Sequence, residues 1–182
     1  MVDTIPELSY NLTLPKGGIM KVLAFVALLA GLTTPAFGIE MTVDPGGFFG
    51  IHWNTHIGDI PRLELVKDGH QFKTYAMPGS PPVIGGVQAE KILYRFYKGR
   101  LESVQVRYMG RQAHRHIIAW AAQQFGPIPF TDSRAVEQVT WLGTETSISL
   151  RYNAVHDEGI LLWNNRSLES ELLSETGLAG GG

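Results

Sequence analysis

The sequence contains no cysteine. Disulfides, thiolate metal sites and cysteine nucleophiles are excluded together, and so is lipid attachment at a cysteine. Charge of neither sign dominates: 15 Lys and Arg stand against 17 Asp and Glu, a formal net charge of −2. No basic cluster is long enough to follow a phosphate backbone, so no nucleic-acid partner is expected. Charged residues make up only 18% of the chain and hydrophobic ones 44%, which argues against global disorder and supplies apolar side chains for a real core. Catalytic signatures are lacking too. There is no G-x-S-x-G elbow, no S-x-x-K and no H-E-x-x-H, and Ile84-Gly85-Gly86-Val87 is not followed by the Lys-Ser/Thr of a phosphate loop.

What the sequence does contain begins at Met20–Gly38. Lys21 precedes an apolar run from Val22 to Leu32, Thr33-Thr34-Pro35 breaks the run, and Ala36 and Gly38 are small residues placed for a cut before Ile39. These are the three regions of a secretory signal peptide. The run falls short of the ~20 apolar residues that span a bilayer, and it lacks the polar positions at helical spacing that a core helix would show. Residues 1–19 carry Asp3 and Glu7 without periodicity. They read either as untranslated, with Lys16-Gly17-Gly18 encoded by a purine-rich ribosome-binding stretch ahead of Met20, or as an extended n-region. The expectation is an exported bacterial protein, periplasmic or secreted, that keeps no integral membrane span after cleavage. The sequons at Asn11 and Asn165 would matter only in a eukaryotic secretory pathway.

Residues 39–175 read as a single α+β domain, and residues 176–182 as a flexible glycine-rich tail. Pro45-Gly46-Gly47 turns into a short strand, Phe48–Trp53. Thr55 is placed to cap a brief helical turn that Pro61 ends. Leu63–Lys67 and Gln71–Met77 read as strands about an Asp68-Gly69 hairpin. Val87–Tyr97 and Leu101–Met109 are the longest strands. A two-residue Lys98-Gly99 turn sets Arg95 opposite Glu102 and Leu93 opposite Val104. Arg111–Phe125 is the clearest helix, with Ala113, Ile117, Trp120 and Ala121 at helical spacing and Ile118 and Phe125 widening the stripe. Gly126-Pro127 stops it. Thr146–Asn153 alternates apolar and polar residues, so one of its faces is buried and one wet. Val136–Leu142 pairs with it through Gly143, Gly159–Trp163 is a further strand, and Ser167–Leu173 a short terminal helix. The order predicts an antiparallel sheet of hairpins, one main helix packed on a face, and a short C-terminal helix.

The motifs Phe48-Phe49-Gly50-Ile51-His52-Trp53-Asn54-Thr55, Phe96-Tyr97-Lys98-Gly99, Phe125-Gly126 and Tyr152-Asn153 together resemble a group of small exported bacterial proteins of uncharacterised function. Those proteins carry a Phe-x-Gly-Ile-x-Trp-Gly-Thr start soon after the signal peptide. Asn54 stands where the group has Gly, and both residues tolerate a positive φ. The resemblance covers most of residues 48–165. It implies the fold and lends no catalytic residue.

Candidate chemistry is sparse. His52 and His56 are four residues apart but fall on a strand and the turn after it, which is wrong for a shared metal. His114 and His116 lie about 200° apart around a helix. His114, in the apolar stripe, reads as a packed histidine with a hydrogen-bond partner, and His116 faces solvent. His70 stands alone, and His156 sits in a loop. No metal, cofactor or catalytic residue is therefore expected. The aromatics carry the functional hint. Tyr94 and Phe96 share one face of a long strand while Tyr97 points to the other, and a sheet with a helix on one side needs no apolar residue on both. The expected binding face is thus Tyr94, Phe96 and Tyr97, covered by a second copy, another envelope protein or an apolar ligand. The function expected is a non-catalytic binding module. The competing expectation is a small periplasmic hydrolase or metal-dependent enzyme using His52, His56 or His114.

Overall fold

The computed structural model describes residues 38–79, 81–129 and 136–175. The expected signal segment up to Phe37, the residues ahead of it and the tail from 176 lie outside these. The described residues begin with strand β1 (Gly38–Glu40) and a tiny hairpin of β2 (Gly47–Phe48) and β3 (Ile51–His52). After a 3-10 turn (Ile57–Asp59) come two hairpins, β4 (Glu64–Asp68) with β5 (Phe72–Ala76) and β6 (Val83–Ile84) with β7 (Val87–Gln88). The long hairpin of β8 (Lys91–Tyr97) and β9 (Arg100–Met109) leads into helix α1 (Arg111–Phe125). A meander of β10 (Gln138–Leu142), β11 (Thr146–Asn153) and β12 (Glu158–Asn165) follows, and helix α2 (Arg166–Glu175) ends the described chain. Among the described residues one sheet of eight strands runs β1-β10-β11-β12-β9-β8-β5-β4. Every pairing in it is antiparallel except β1 on β10. The class is α+β. The expected cut before Ile39 falls inside β1.

Local chemistry explains where the strands differ from expectation. Phe48–Trp53 is not one strand, because Phe49 and Gly50 both take left-handed φ, 47° and 83°, and fold the segment into a tight hairpin. The next residues are held the same way. Asn54 has φ 64°, and its side-chain oxygen accepts a hydrogen bond from the Asn165 amide at 3.2 Å. The 3-10 turn is capped by His56 rather than Thr55: His56 Nδ1 accepts the Gly58 N–H, while Thr55 Oγ1 donates to the His52 carbonyl. Val87–Tyr97 divides into β7 and β8.

The Lys98-Gly99 turn has two residues, with Tyr97 opposite Arg100 and Phe96 opposite Leu101. Beyond it a bulge shifts the register, so that Arg95 faces Ser103, Tyr94 faces Val104 and Leu93 faces Gln105. Glu102 is the extra residue. It is nevertheless reached by Arg95, whose Nε and Nη2 donate to its two oxygens at 2.5 and 2.7 Å.

Cross-strand partners share a face. One row of the first face reads Trp141, Ile148, Trp163, Val104, Tyr94, Tyr75 across β10, β11, β12, β9, β8 and β5. The α1 rings meet this row: Trp120 and Phe125 against Trp163, and Phe125 against Trp141. Ile117, Ile118 and Ala121 of α1 are buried with Ile148, Leu150 and Leu161, each large aliphatic side chain contributing about 1.5–3 kcal/mol. Buried ring N–H groups are satisfied inside the chain: Trp141 Nε1 donates to the Gly126 carbonyl and Trp53 Nε1 to Thr146 Oγ1.

Candidate functional site

The three aromatics expected to form an open face are buried. Tyr94 and Phe96 are 5% and 1% exposed in the first-face core, beside Phe48 and Tyr75 respectively. Tyr97 lies on the opposite face and is 1% exposed. What covers that end of the second face includes the chain's own C-terminal helix. Tyr97 Oη and Lys98 Nζ both donate to the Glu175 carboxylate, and Arg100 Nη2 donates to both Glu171 oxygens at 2.7 and 2.8 Å. Tyr97 also packs on Phe72, with ring centroids 5.3 Å apart. Arg100 holds the Glu171 carboxyl below its ordinary range, and Lys98, then Tyr97, do the same to Glu175. The Glu169 carboxyl of α2 is shifted the other way, foremost by desolvation and then by the neighbouring Glu102. The helix is itself capped by Asn165, whose side-chain oxygen accepts the Ser167 and Leu168 N–H groups.

His114 is wholly occupied by packing. Its Nε2 sits 2.7 Å from the Val136 carbonyl, so that nitrogen carries the proton, and Nδ1 accepts from Tyr108 Oη at 2.8 Å. The imidazole stacks on Tyr152 at 4.5 Å, over whose ring Arg111 also lies. Burial, foremost, pushes its pKa down and that of Tyr108 up. A neutral histidine with both nitrogens engaged is a structural strut. His52, His116 and His156 are exposed, and His56 serves the 3-10 turn. Among the described residues no three His, Asp or Glu side chains gather where they could hold a metal.

Asp44 forms a dense polar hub among the described residues. Its carboxylate accepts from the N–H groups of Gly46, Glu145 and Thr146 and from Thr146 Oγ1, and these bonds help lower its pKa against the burial that raises it. Asp44 lines a cleft of about 810 Å³ with Glu145, Arg166 and Ser170. The hub ties the segment after β1 to the β10–β11 turn and leaves little acceptor capacity for a ligand.

Among the described residues, the surface that stays open is the other end of the second face. One row there reads Gln138, Arg151, Ile160, Arg107, Lys91 across β10, β11, β12, β9 and β8. The next reads Thr140, Ser149, Leu162, Gln105, Leu93. Leu93, Ile160 and Leu162 are half-buried, and Met109 is 48% exposed. Arg107 meets Glu158 at 3.3 Å, and its buried Nε has no partner among the described residues. A cleft of about 540 Å³ lined by Glu137, Arg151, Tyr152 and Ile160 adjoins the row. Sequence reasoning missed this row. Without the bulge, Arg107 would lie opposite Glu90 and Lys91 opposite Val106. With it, the two cations are neighbours. The alternation of Thr146–Asn153 was the one readable signal: it placed Arg151 on the exposed side, although Ser147 on that side is buried.

The chain matches no family model, no curated protein and no solved structure. The described residues define an α+β protein with one large, mostly antiparallel sheet and two α-helices. Among the described residues no helix is long and apolar enough to cross a membrane.

Proposed function

We propose that this chain is an exported, non-catalytic module of the bacterial envelope, periplasmic or secreted, that binds a protein through its sheet. The observation that carries the reading is the half-open second face around Leu93, Ile160 and Leu162, with Met109 at its rim. A sheet buried on both sides everywhere would offer nothing comparable, and an all-polar open side would offer no contact area. The face belongs to a sheet of hairpins with α1 laid over one side and the shorter α2 over one end of the other. Leu93 and Leu162 lie outside the cleft that adjoins the row, and an extended sheet surface of this kind suits a protein better than a small apolar ligand, which takes a concave pocket. Export is supported by the three-part segment Met20–Gly38 and by the resemblance to small exported bacterial proteins. The competing reading, a hydrolase or metal-dependent enzyme, would need its histidines gathered, and His52, His56 and His114 are engaged separately or exposed.

The test places a photo-cross-linking amino acid at Leu162, and in a control at Val83, which is 57% exposed in the β6–β7 hairpin, in the full chain expressed with its leader in a bacterium. A discrete adduct from position 162 and none from 83, mapped by mass spectrometry to one segment of one partner, is the expected result. Adducts from both positions alike, or from neither, would sink the reading. Mass spectrometry of the same material reads the N-terminus, expected at Ile39; a chain that keeps Val22–Leu32 refutes export by cleavage.

A further inference from the structure

We propose that the open end of the second face receives an acidic, leucine-bearing amphipathic helix of the partner protein. The inference rests on the reading of this face as a binding surface and adds the chemistry of what binds.

The chain's own treatment of the same face is the guide. At the hairpin end it lays down α2, Arg166-Ser-Leu-Glu-Ser-Glu-Leu-Leu-Ser-Glu175, a helix rich in leucine and glutamate. Leu168 is fully buried, and Glu171 and Glu175 close on Arg100 and Lys98. The far end of the face offers the same two chemistries, cations beside apolar side chains, and among the described residues no helix covers it. Leu93, Ile160 and Leu162 supply the apolar floor. Lys91, Arg107 and Arg151 supply the cations, all on one cross-strand row.

The charges of that row are poorly answered within the chain. Lys91 and Arg107 stand directly opposite each other on neighbouring strands, an arrangement that destabilises a sheet unless something neutralises it. Glu158 reaches Arg107, but no ion pair is made by Lys91 or Arg151 among the described residues. Carboxylates from outside would relieve the repulsion. The occupant is a helix rather than a strand because strands add at sheet edges, through unpaired backbone groups, whereas sheet faces are covered by helices.

The experiment uses the full chain, isotopically labelled, titrated with a leucine–glutamate amphipathic peptide of about five helical turns. Its lysine-for-glutamate counterpart and vesicles of phosphatidylglycerol in phosphatidylcholine are titrated in parallel. The expected result is that the glutamate peptide shifts the amides of Leu93, Arg107, Arg151 and Ile160, and that the lysine peptide binds about tenfold more weakly or worse. Arg151→Glu and Lys91→Glu should each weaken the glutamate peptide about tenfold, and raised salt should weaken it further. Two substitutions on separate strands guard against one that disturbs folding, which the untouched amides of α1 report. Equal binding of both peptides at these amides overturns the acidic chemistry and leaves the face a binding surface. Failure of the glutamate peptide to move these amides overturns the inference, and the cross-link from position 162 decides separately whether the face binds anything. Vesicles that shift the same amides and displace the peptide overturn it in favour of an anionic membrane surface.

Discussion

On one face of the sheet, Trp120 and Phe125 of α1 meet Trp141 and Trp163 ring to ring at 6.2–6.4 Å. On the other, α2 is tied down by Glu171 on Arg100 and by Glu175 on Tyr97 and Lys98. The first contact is apolar, dry and indifferent to salt. The second is ionic, largely exposed and anchored by one fully buried leucine, Leu168. Burial stabilises in proportion to the area removed from water, whereas exposed ion pairs contribute little and are screened. The comparison predicts a structure whose rigidity is concentrated on one side of its sheet, which leaves the other side free to accept a partner.

The largest expected effect breaks the dry side. Ile117 is 1% exposed in the α1 stripe, so Ile117→Asp both empties a packed site and buries a carboxylate without a partner. A loss of about 4 kcal/mol or more is expected, read as a fall in the urea midpoint. Gln123→Asp, on the exposed side of the same helix, should be nearly silent. Equal effects would mean that the face is wrongly assigned.

Nearly as large is Gly159→Ala. A Cβ there would lie 2.0 Å from Tyr108 Cζ and 2.4 Å from its hydroxyl. Tyr108 has no room to yield, being fully buried and bonded to His114. Overpacking plus a strained buried hydrogen bond predicts a loss of about 3 kcal/mol. Gly159 has no left-handed backbone to confuse the result. A stability within ~0.5 kcal/mol of the parent, the scale of ordinary surface changes, would mean that Tyr108 is looser than its burial implies.

A third prediction uses pH to sharpen the same region. Burial, partly offset by the Val136 bond, lowers the His114 pKa below its ordinary 6.5, with Arg111 lowering it and Glu137 raising it to lesser degrees. The folded chain therefore binds fewer protons than the unfolded one near that pH. The contribution of His114 is whole above about 6.5 and is lost as pH falls from there through the folded value, at up to about 1.4 kcal/mol per pH unit. His114→Gln cannot titrate, and its urea midpoint should lie parallel to the parent above pH 7 and fall less steeply between pH 6.5 and 5. Parallel curves throughout would show that the proton is taken up elsewhere.

How much of this was legible in the sequence follows from range of interaction. Helix α1 has the bounds that its 3.6-residue period announces, because a stripe from Ala113 to Phe125 is a local signal. The turn at Lys98-Gly99 and the alternation of Thr146–Asn153 are local as well. The hairpin at Phe49-Gly50 was missed because a bulky residue at positive φ contradicts local preference, and it is held there by Phe48 packing on Tyr94 and Trp163. The bulge at Glu102 was missed because its partner Arg95 satisfies either register. That one-residue shift re-pairs Lys91 with Arg107, so the charged row of the second face could not be read from strand alternation. Strand alternation gave which sides the rings of β8 point to, and all three rings are buried: Tyr94 and Phe96 in the core beside Phe48 and Tyr75, and Tyr97 beside Phe72 and α2.

The smallest effect tests the ionic side, and with it the comparison itself. Glu175→Gln removes the carboxylate that Tyr97 and Lys98 share, and Glu171→Gln the one that grips Arg100. Both groups are lowered by these partners from an ordinary 4.5. Their contribution is therefore present above that pH and lost as pH falls through the lower folded values. Neither substitution should move the global melt measurably, since exposed pairs of this kind stabilise little. What should change is local. Amide hydrogen exchange in the last turn of α2 should quicken in each variant, in raised salt, and below pH 4.5 after correction for the intrinsic rate, while exchange in α1 stays as it was. Leu168 is expected to keep the first turn in place, because its burial does not depend on charge. Exchange that quickens in both helices together would show one cooperative unit, and the division of the sheet into a rigid face and a yielding one would have to be given up. Exchange that quickens in α2 alone would establish the second face as the side of this fold that opens first.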